Sequence, residues 1–245
     1  MSAVAKVKSF TRADGSPRRV LYAEDQTSSR IVTTAMLKRM GFEVDAVEDG
    51  ELAVQAARSE NYDVILLDIE MPVMDGVTAA RSIRSELKHC DDTPILALSA
   101  FLADSTEQCV WRDAFDSALP KPANTNELHT ALTNAMGMKD RNQVLSAKLD
   151  AEEVLVALKT TFSRGTWERL QITAASEMEH IANAMGAAIL VKDAAHLSKC
   201  HHALKGLALN FGAHEVLAKS ALLRETGSAE EMTRLLAAIA EWKSK

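Results

Sequence analysis

The residues best placed for chemistry lie at the ends of short apolar runs. Asp68 closes the run Val64 to Leu67 and is followed by Pro72 and Gly76 in the segment VILLDIEMPVMDG. A run of four or five Val, Ile and Leu residues bounded by turn signals reads as a buried parallel strand. In open α/β sheets, ligands bind just beyond the carboxyl ends of such strands. Glu24 and Asp25 close VLYA (Val20–Ala23), Ser99 closes PILAL (Pro94–Leu98), and FDSAL (Phe115–Leu119) runs into Lys121 and Pro122. Laid side by side, these strands would bring three carboxylates, a hydroxyl and an ammonium to one edge. Clustered carboxylates repel one another unless a cation joins them, and an oxygen-only ligand set suits Mg2+. Such a site reads as one for phosphoryl transfer, which needs charge neutralisation and positioning more than covalent chemistry.

The elements that must position these residues follow from periodicity. Strand signals alternate with helical patterns up to about Met136, which predicts an α/β doubly wound fold on a parallel sheet. Gln26–Met40, with Ile31, Ala35, Leu37 and Met40, reads as an amphipathic helix stopped by Gly41. Gly137–Ser146 is polar and reads as a linker. The remaining residues, rich in Ala and Leu at helical spacing and punctuated by Gly165, Gly186, Gly212 and Gly227, predict an all-α helical bundle.

A second candidate site lies in that helical half, in SKCHHALKGLALNFGA (Ser198–Ala213). At 100° per residue, Leu197, Cys200, Ala208 and Phe211 fall within about 40° of Leu204 and define a buried stripe. His202 then lies at about 160° and is expected to face solvent, whereas His201, at about 60°, is expected to be a satisfied structural histidine. Gly206 sits one turn from His202, where a mid-helix Gly costs about 1 kcal/mol relative to Ala and points to close approach of a partner. Lys205, also one turn away, would supply positive charge to an anion on the imidazole.

Bulk properties exclude several classes. The chain has 245 residues, 47% hydrophobic and 25% charged, with a net charge of −6 that argues against general nucleic-acid binding. From Asp150 onward, 11 Lys plus Arg face 12 Asp plus Glu, which lacks the basic footprint of a DNA-binding output domain. No apolar run approaches the roughly 18 residues of a membrane span, and the basic N-terminal stretch has no signal-peptide core. A cytoplasmic protein without membrane insertion is expected. Cys90, Cys109 and Cys200 lack paired spacing and read as reduced thiols. A soft metal site at His196, Cys200 and His201 is disfavoured because Cys200 belongs to the apolar stripe and no second ligand pair accompanies it.

The ordered set Glu24, Asp25, Asp68, Ser99 and Lys121 resembles a response-regulator receiver domain over about residues 18–137. The resemblance implies that Asp68 accepts a phosphoryl group and that Asp25, Asp68 and the backbone carbonyl of Glu70 ligate Mg2+, with Glu24 supporting through water. It also implies that Ser99 binds a phosphoryl oxygen and that Lys121 pairs with the acyl phosphate. The pattern HALKG followed by FGA resembles the active helix of a histidine phosphotransfer domain, spanning 148–245. That resemblance implies a four-helix bundle in which His202 carries phosphate, Lys205 stabilises it and Gly206 admits a receiver. Residues 1–17 are then expected to be a flexible tail and 138–147 a linker.

Two features, at three positions, depart from the receiver pattern. Ala118 stands where the family usually places an aromatic switch, and Phe101 and Glu70 occupy the positions that control hydrolytic water. Together the resemblances imply a two-component phosphorelay protein that meets a sensor histidine kinase and a second receiver. It is not expected to be a kinase itself, since it has no Gly-rich phosphate loop. The alternatives are a receiver-gated interaction module and a phosphate reservoir, in both of which His202 never carries phosphate.

Overall fold

The computed structural model describes residues 10–99, 114–121, 123, 125–137 and 162–244. The chain divides into an α/β unit that extends to Lys148 and a helical unit from Leu149 to Lys245. In the first unit, β1 (Arg19–Ala23), β2 (Glu43–Val47), β3 (Val64–Asp68), β4 (Ile95–Ser99) and β5 (Ser117–Pro120) form one sheet in the order β2-β1-β3-β4-β5. Every neighbouring pair is parallel. This is the five-stranded, flavodoxin-like arrangement that the receiver resemblance implies, and it sets β3 between β1 and β4. The central strands are buried along their whole length, as their unbroken apolar composition requires.

Helices α1 (Thr27–Met40), α2 (Gly50–Ser59), α3 (Gly76–Glu86) and α4 (Thr125–Ala135) return the chain between or after strands. Gly41 ends α1 at φ 99°, a left-handed conformation that costs Gly nothing. The face of α1 differs from the expected one: Ile31 is exposed and Ala35 half-buried, while Val32, Met36, Leu37 and Met40 carry the packing. Asp49 and Asp75 cap α2 and α3 by accepting from the backbone N–H of Leu52 and Thr78. The glycines that follow these caps have a steric duty. A Cβ on Gly76 would lie 2.0 Å from the Asp68 carbonyl oxygen, and one on Gly50 would lie 2.5 Å from that of Met74. The loop after β3 can therefore fold back against the strand that carries Asp68.

Residues 10–17, expected to belong to a flexible tail, are packed instead. Phe10 is 2% exposed and stacks on Phe42 at 4.3 Å. Its backbone accepts from Arg18 N–H and donates to the Met40 carbonyl, and Arg12 bonds Asp63 at 2.7 Å. Burying one Phe contributes roughly 1.5–3 kcal/mol toward ordering the segment, alongside its backbone hydrogen bonds and the Arg12–Asp63 pair.

In the helical unit, α5 (Arg164–Leu190), α6 (Ala194–Asn210), α7 (His214–Thr226) and α8 (Ala229–Lys243) pack in a ring, each against two others. Their core includes Trp167, Met178, Leu204, Phe211, Leu223 and Ile239. Gly212 and Gly227, at φ 65° and 61°, mark helix ends as expected. Gly186 does not: it lies inside α5, and a Cβ there would meet the Met232 methyl at 3.0 Å, so it is a close-packing position. Cys90 and Cys200 are buried. Among the described residues, no helix is long and apolar enough to cross a membrane. The expected linker lies outside the described residues from 138 onward.

Candidate functional site

The carboxyl ends of β1, β3, β4 and β5 deliver Glu24, Asp68, Ser99 and Lys121 to one edge, because the strands are parallel and in register. Ala23 pairs with Leu67, Asp68 with Leu98, and Ser99 with Pro120. Ligand oxygens of Glu24, Asp25 and Asp68 all fall within 4.8 Å of one another. Glu24 is 1% exposed and Asp68 7%, whereas Asp25 stands at the mouth. Lys121 Nζ bridges the two buried acids, donating to Glu24 Oε2 at 2.5 Å and to Asp68 Oδ2 at 2.6 Å. The Lys121 backbone N–H donates to the Ser99 carbonyl at 2.8 Å, which ties the ends of β4 and β5 together. The Glu70 N–H donates to Asp68 Oδ1 at 3.3 Å. Ser99 is buried beside these groups, at 3% exposure.

The charge balance is uneven, with three carboxylates set against one ammonium. Burial pushes the Asp68 pKa up to about 7; Lys121 opposes the shift, while Glu24 and Asp25 add to it. Asp25 rises to about 6, chiefly because the surrounding protein desolvates it and then because of Glu24, with Lys121 opposing. Burial works against the charged form of Lys121, but Glu24 and Asp68 override it and hold its pKa above that of an ordinary lysine. Excess negative charge in a partly dry pocket is what a hard cation relieves. Among the described residues, Glu24 Oε1 is buried with no hydrogen-bond partner. The donor set is all oxygen, and the residues present therefore fit Mg2+, with Glu24, Asp25 and Asp68 as the groups that would hold it.

Two contributors escape the sequence reading. Tyr22 OH donates to Glu24 Oε2 at 3.0 Å from within β1. Arg30, on α1, donates through Nη1 to the carbonyls of Glu24, at 2.5 Å, and Asp25, at 3.2 Å, and so clamps the loop after β1. Tyr22 had a usable signal, since residues two apart in a strand share a face. Arg30 had none, because its reach depends on how α1 docks. Ala118 is half-buried on β5 and packs against the core, so a methyl fills the place usually taken by a ring. Phe101 lies outside the described residues.

In the helical unit the expected stripe is present. Cys200, Leu204, Ala208 and Phe211 are buried and Leu197 is half-buried. His202 is half-buried rather than fully at solvent, and its Nδ1 lies 2.8 Å from the Ser198 carbonyl oxygen. A carbonyl only accepts, so in the neutral ring Nδ1 carries the proton and Nε2 the lone pair. Lys205 is exposed, and a Cβ on Gly206 would meet nothing within 4 Å. His201 is buried as expected but not satisfied: its Nδ1 has no hydrogen-bond partner. Burial pulls its pKa down to about 4, with Arg224, His202 and Lys205 adding to the shift. His196 Nε2 lies 3.6 Å from Cys200 Sγ.

These features converge with the comparisons. Residues 20–133 match the family described as Response regulator receiver domain, and this segment is a receiver domain of two-component signalling. The chain is 32% identical over 140 residues to the Sensor protein GacS of Pseudomonas syringae pv. syringae, a match covering 56% of this chain and 15% of that protein. It is 32% identical over 111 residues to the CAI-1 autoinducer sensor kinase/phosphatase CqsS of Vibrio cholerae, covering 45% of this chain and 16% of that one. The chain thus spans about 15% of the length of these sensor proteins. The receiver domain of sensor histidine kinase PA1611 from Pseudomonas aeruginosa PAO1, solved with a magnesium ion coordinated in its active site cleft, is 33% identical. That match covers 49% of this chain and 98% of that one, with a TM-score of 0.46.

Proposed function

We propose that this protein is a phosphorelay component in which Asp68 accepts a phosphoryl group from a phosphohistidine donor and His202 serves as a second phosphoryl carrier. The observation that carries the reading is the convergence of Glu24, Asp25 and Asp68 on one sheet edge, with Lys121 bridging two of them. In the acceptor step an Asp68 carboxylate oxygen attacks phosphorus, the P–N bond to the donor imidazole breaks, and the departing ring nitrogen takes up a proton. Mg2+, when bound, would neutralise carboxylate charge and attract the phosphoryl oxygens. Lys121 exchanges one of its carboxylate partners for the acyl phosphate, and Ser99 donates to a phosphoryl oxygen.

On α6 the lone pair on His202 Nε2 attacks the phosphorus of a receiver's acyl phosphate, the P–O bond to that aspartate breaks and its carboxylate leaves; Lys205 supplies positive charge, and the open space beside Gly206 admits the receiver. The partners of this reading are a sensor histidine kinase upstream and a receiver protein upstream or downstream, in the cytoplasm. The domains it assigns are a receiver over 18–137, a linker over 138–147 and a histidine phosphotransfer domain over 148–245. The test is a phosphotransfer profile of the wild type and the Asp68→Asn and His202→Gln variants against candidate kinases and receivers. Loss of acceptance in Asp68→Asn and loss of onward transfer in His202→Gln are expected. Full onward transfer by His202→Gln would reduce the helical unit to an interaction module.

A further inference from the structure

We propose that Tyr22 is a positioning residue whose phenol fixes the Glu24 carboxylate so that one oxygen is occupied within the protein and the other is left to a cation. The proposal rests on the reading of Asp68 as a Mg2+-assisted phosphoryl acceptor. Tyr22 is 1% exposed on a central strand, where packing asks only for an apolar side chain. A buried hydroxyl is costly unless it is paired, so a phenol here requires a partner. Its partner is Glu24 Oε2, to which it donates at 3.0 Å.

Glu24 Oε2 also accepts from Lys121 at 2.5 Å. Two donors therefore converge on one oxygen, while Oε1 stays buried with no partner among the described residues. With Oε2 doubly occupied, Oε1 is the atom that Glu24 has left to offer. Without the phenol, Lys121 alone would hold the carboxylate, which would be free to rotate and draw the shared ammonium away from Asp68. The chain Tyr22, Glu24, Lys121, Asp68 thus runs from the interior of β1 to the acceptor.

The test titrates Mg2+ by calorimetry into full-length wild type, Tyr22→Phe and Tyr22→Leu, and measures phosphoryl uptake from acetyl phosphate at limiting and saturating Mg2+. One hydrogen bond to a charged group converts to roughly tenfold in affinity. Tyr22→Phe should weaken Mg2+ binding about tenfold and keep uptake near wild type once Mg2+ saturates. Tyr22→Leu, which also lacks the hydroxyl, should weaken Mg2+ binding in the same direction. Equal or tighter Mg2+ binding by Tyr22→Phe overturns the proposal, as does an uptake defect that saturation fails to repair. Should Tyr22→Phe not fold, Tyr22→Leu decides: wild-type Mg2+ affinity in it overturns the proposal. Wild type that neither binds Mg2+ nor takes up phosphoryl overturns the acceptor reading itself.

Discussion

The two candidate sites solve opposite problems. At the sheet edge, Glu24 and Asp68 are buried, mutually repelling and bridged by Lys121, so that site is built from electrostatics. On α6, His202 stands half-buried on a helix face, with an exposed lysine and a bare glycine one turn away, so that site is built from access. The contrast teaches how one chemistry would be divided. A carboxylate needs help to accept an anionic group, because its own charge repels the donor. An imidazole is already a neutral nucleophile and needs chiefly an orienting hydrogen bond and room for a partner.

The largest effect should come from breaking the electrostatic site. Asp25→Ala is expected to reduce Mg2+-dependent labelling of Asp68 by about 100-fold or more, read as acyl phosphate formed from acetyl phosphate. Labelling that survives excess chelator would contradict the cation requirement.

The access site should break sterically. Gly206→Leu places bulk where a Cβ meets nothing within 4 Å, so helicity and melting temperature should hold while phosphoryl transfer at His202 falls by about tenfold or more. Unfolding of the variant, or transfer at the wild-type rate, would remove the distinction between the two sites.

Sequence made the electrostatic site far more legible than its supports. Asp68, Ser99 and Lys121 each end an apolar run, and parallel strands bring such ends together without any detail of packing. Tyr22 shares a strand face with Glu24 and could have been read from that spacing, whereas Arg30 could not, because its reach depends on the docking of α1. The α1 face was misplaced by one residue at Ile31, since a helix between sheet and solvent buries a broad arc that periodicity brackets only loosely. Phe10 looked like tail because one aromatic among polar residues has no period, and its partner Phe42 is distant in sequence. On α6 the wheel found the buried stripe but not the unpartnered Nδ1 of His201, because angle predicts burial and says nothing of satisfaction.

A smaller effect separates the two units by pH. Asp68 is raised from 3.8 to about 7, so the stability its neutral form lends is full below 3.8 and is lost as pH rises through 7. His201 is lowered from 6.5 to about 4, so its contribution is full above 6.5 and is lost as pH falls through 4. Between pH 4 and 6.5 the two groups push their units in opposite directions. Hydrogen exchange without Mg2+ should show each slope flattened only in its own unit, by Asp68→Asn in the sheet and by His201→Phe in the bundle. Flattening of both slopes by either variant would contradict this.

The smallest effect expected concerns Ala118, whose methyl has no rotamers to exchange between exposed and buried positions. A beryllofluoride adduct at Asp68 should shift the Ser99 amide strongly and those of Ala118 and α4 weakly. Large shifts along α4 would show that another side chain couples the pocket to that face.

The central claim is that one chain carries phosphoryl groups on two chemically different residues, and label stability tests it directly. Protein labelled by a phosphohistidine donor is split into acid and base treatments, for wild type, Asp68→Asn and His202→Gln. Phosphohistidine survives base and is lost in acid, whereas an acyl phosphate is lost in base. The account predicts a base-labile pool that vanishes in Asp68→Asn and a base-stable, acid-labile pool that vanishes in His202→Gln. A single base-labile pool in all proteins that label, or a base-stable pool that persists in His202→Gln, would contradict it.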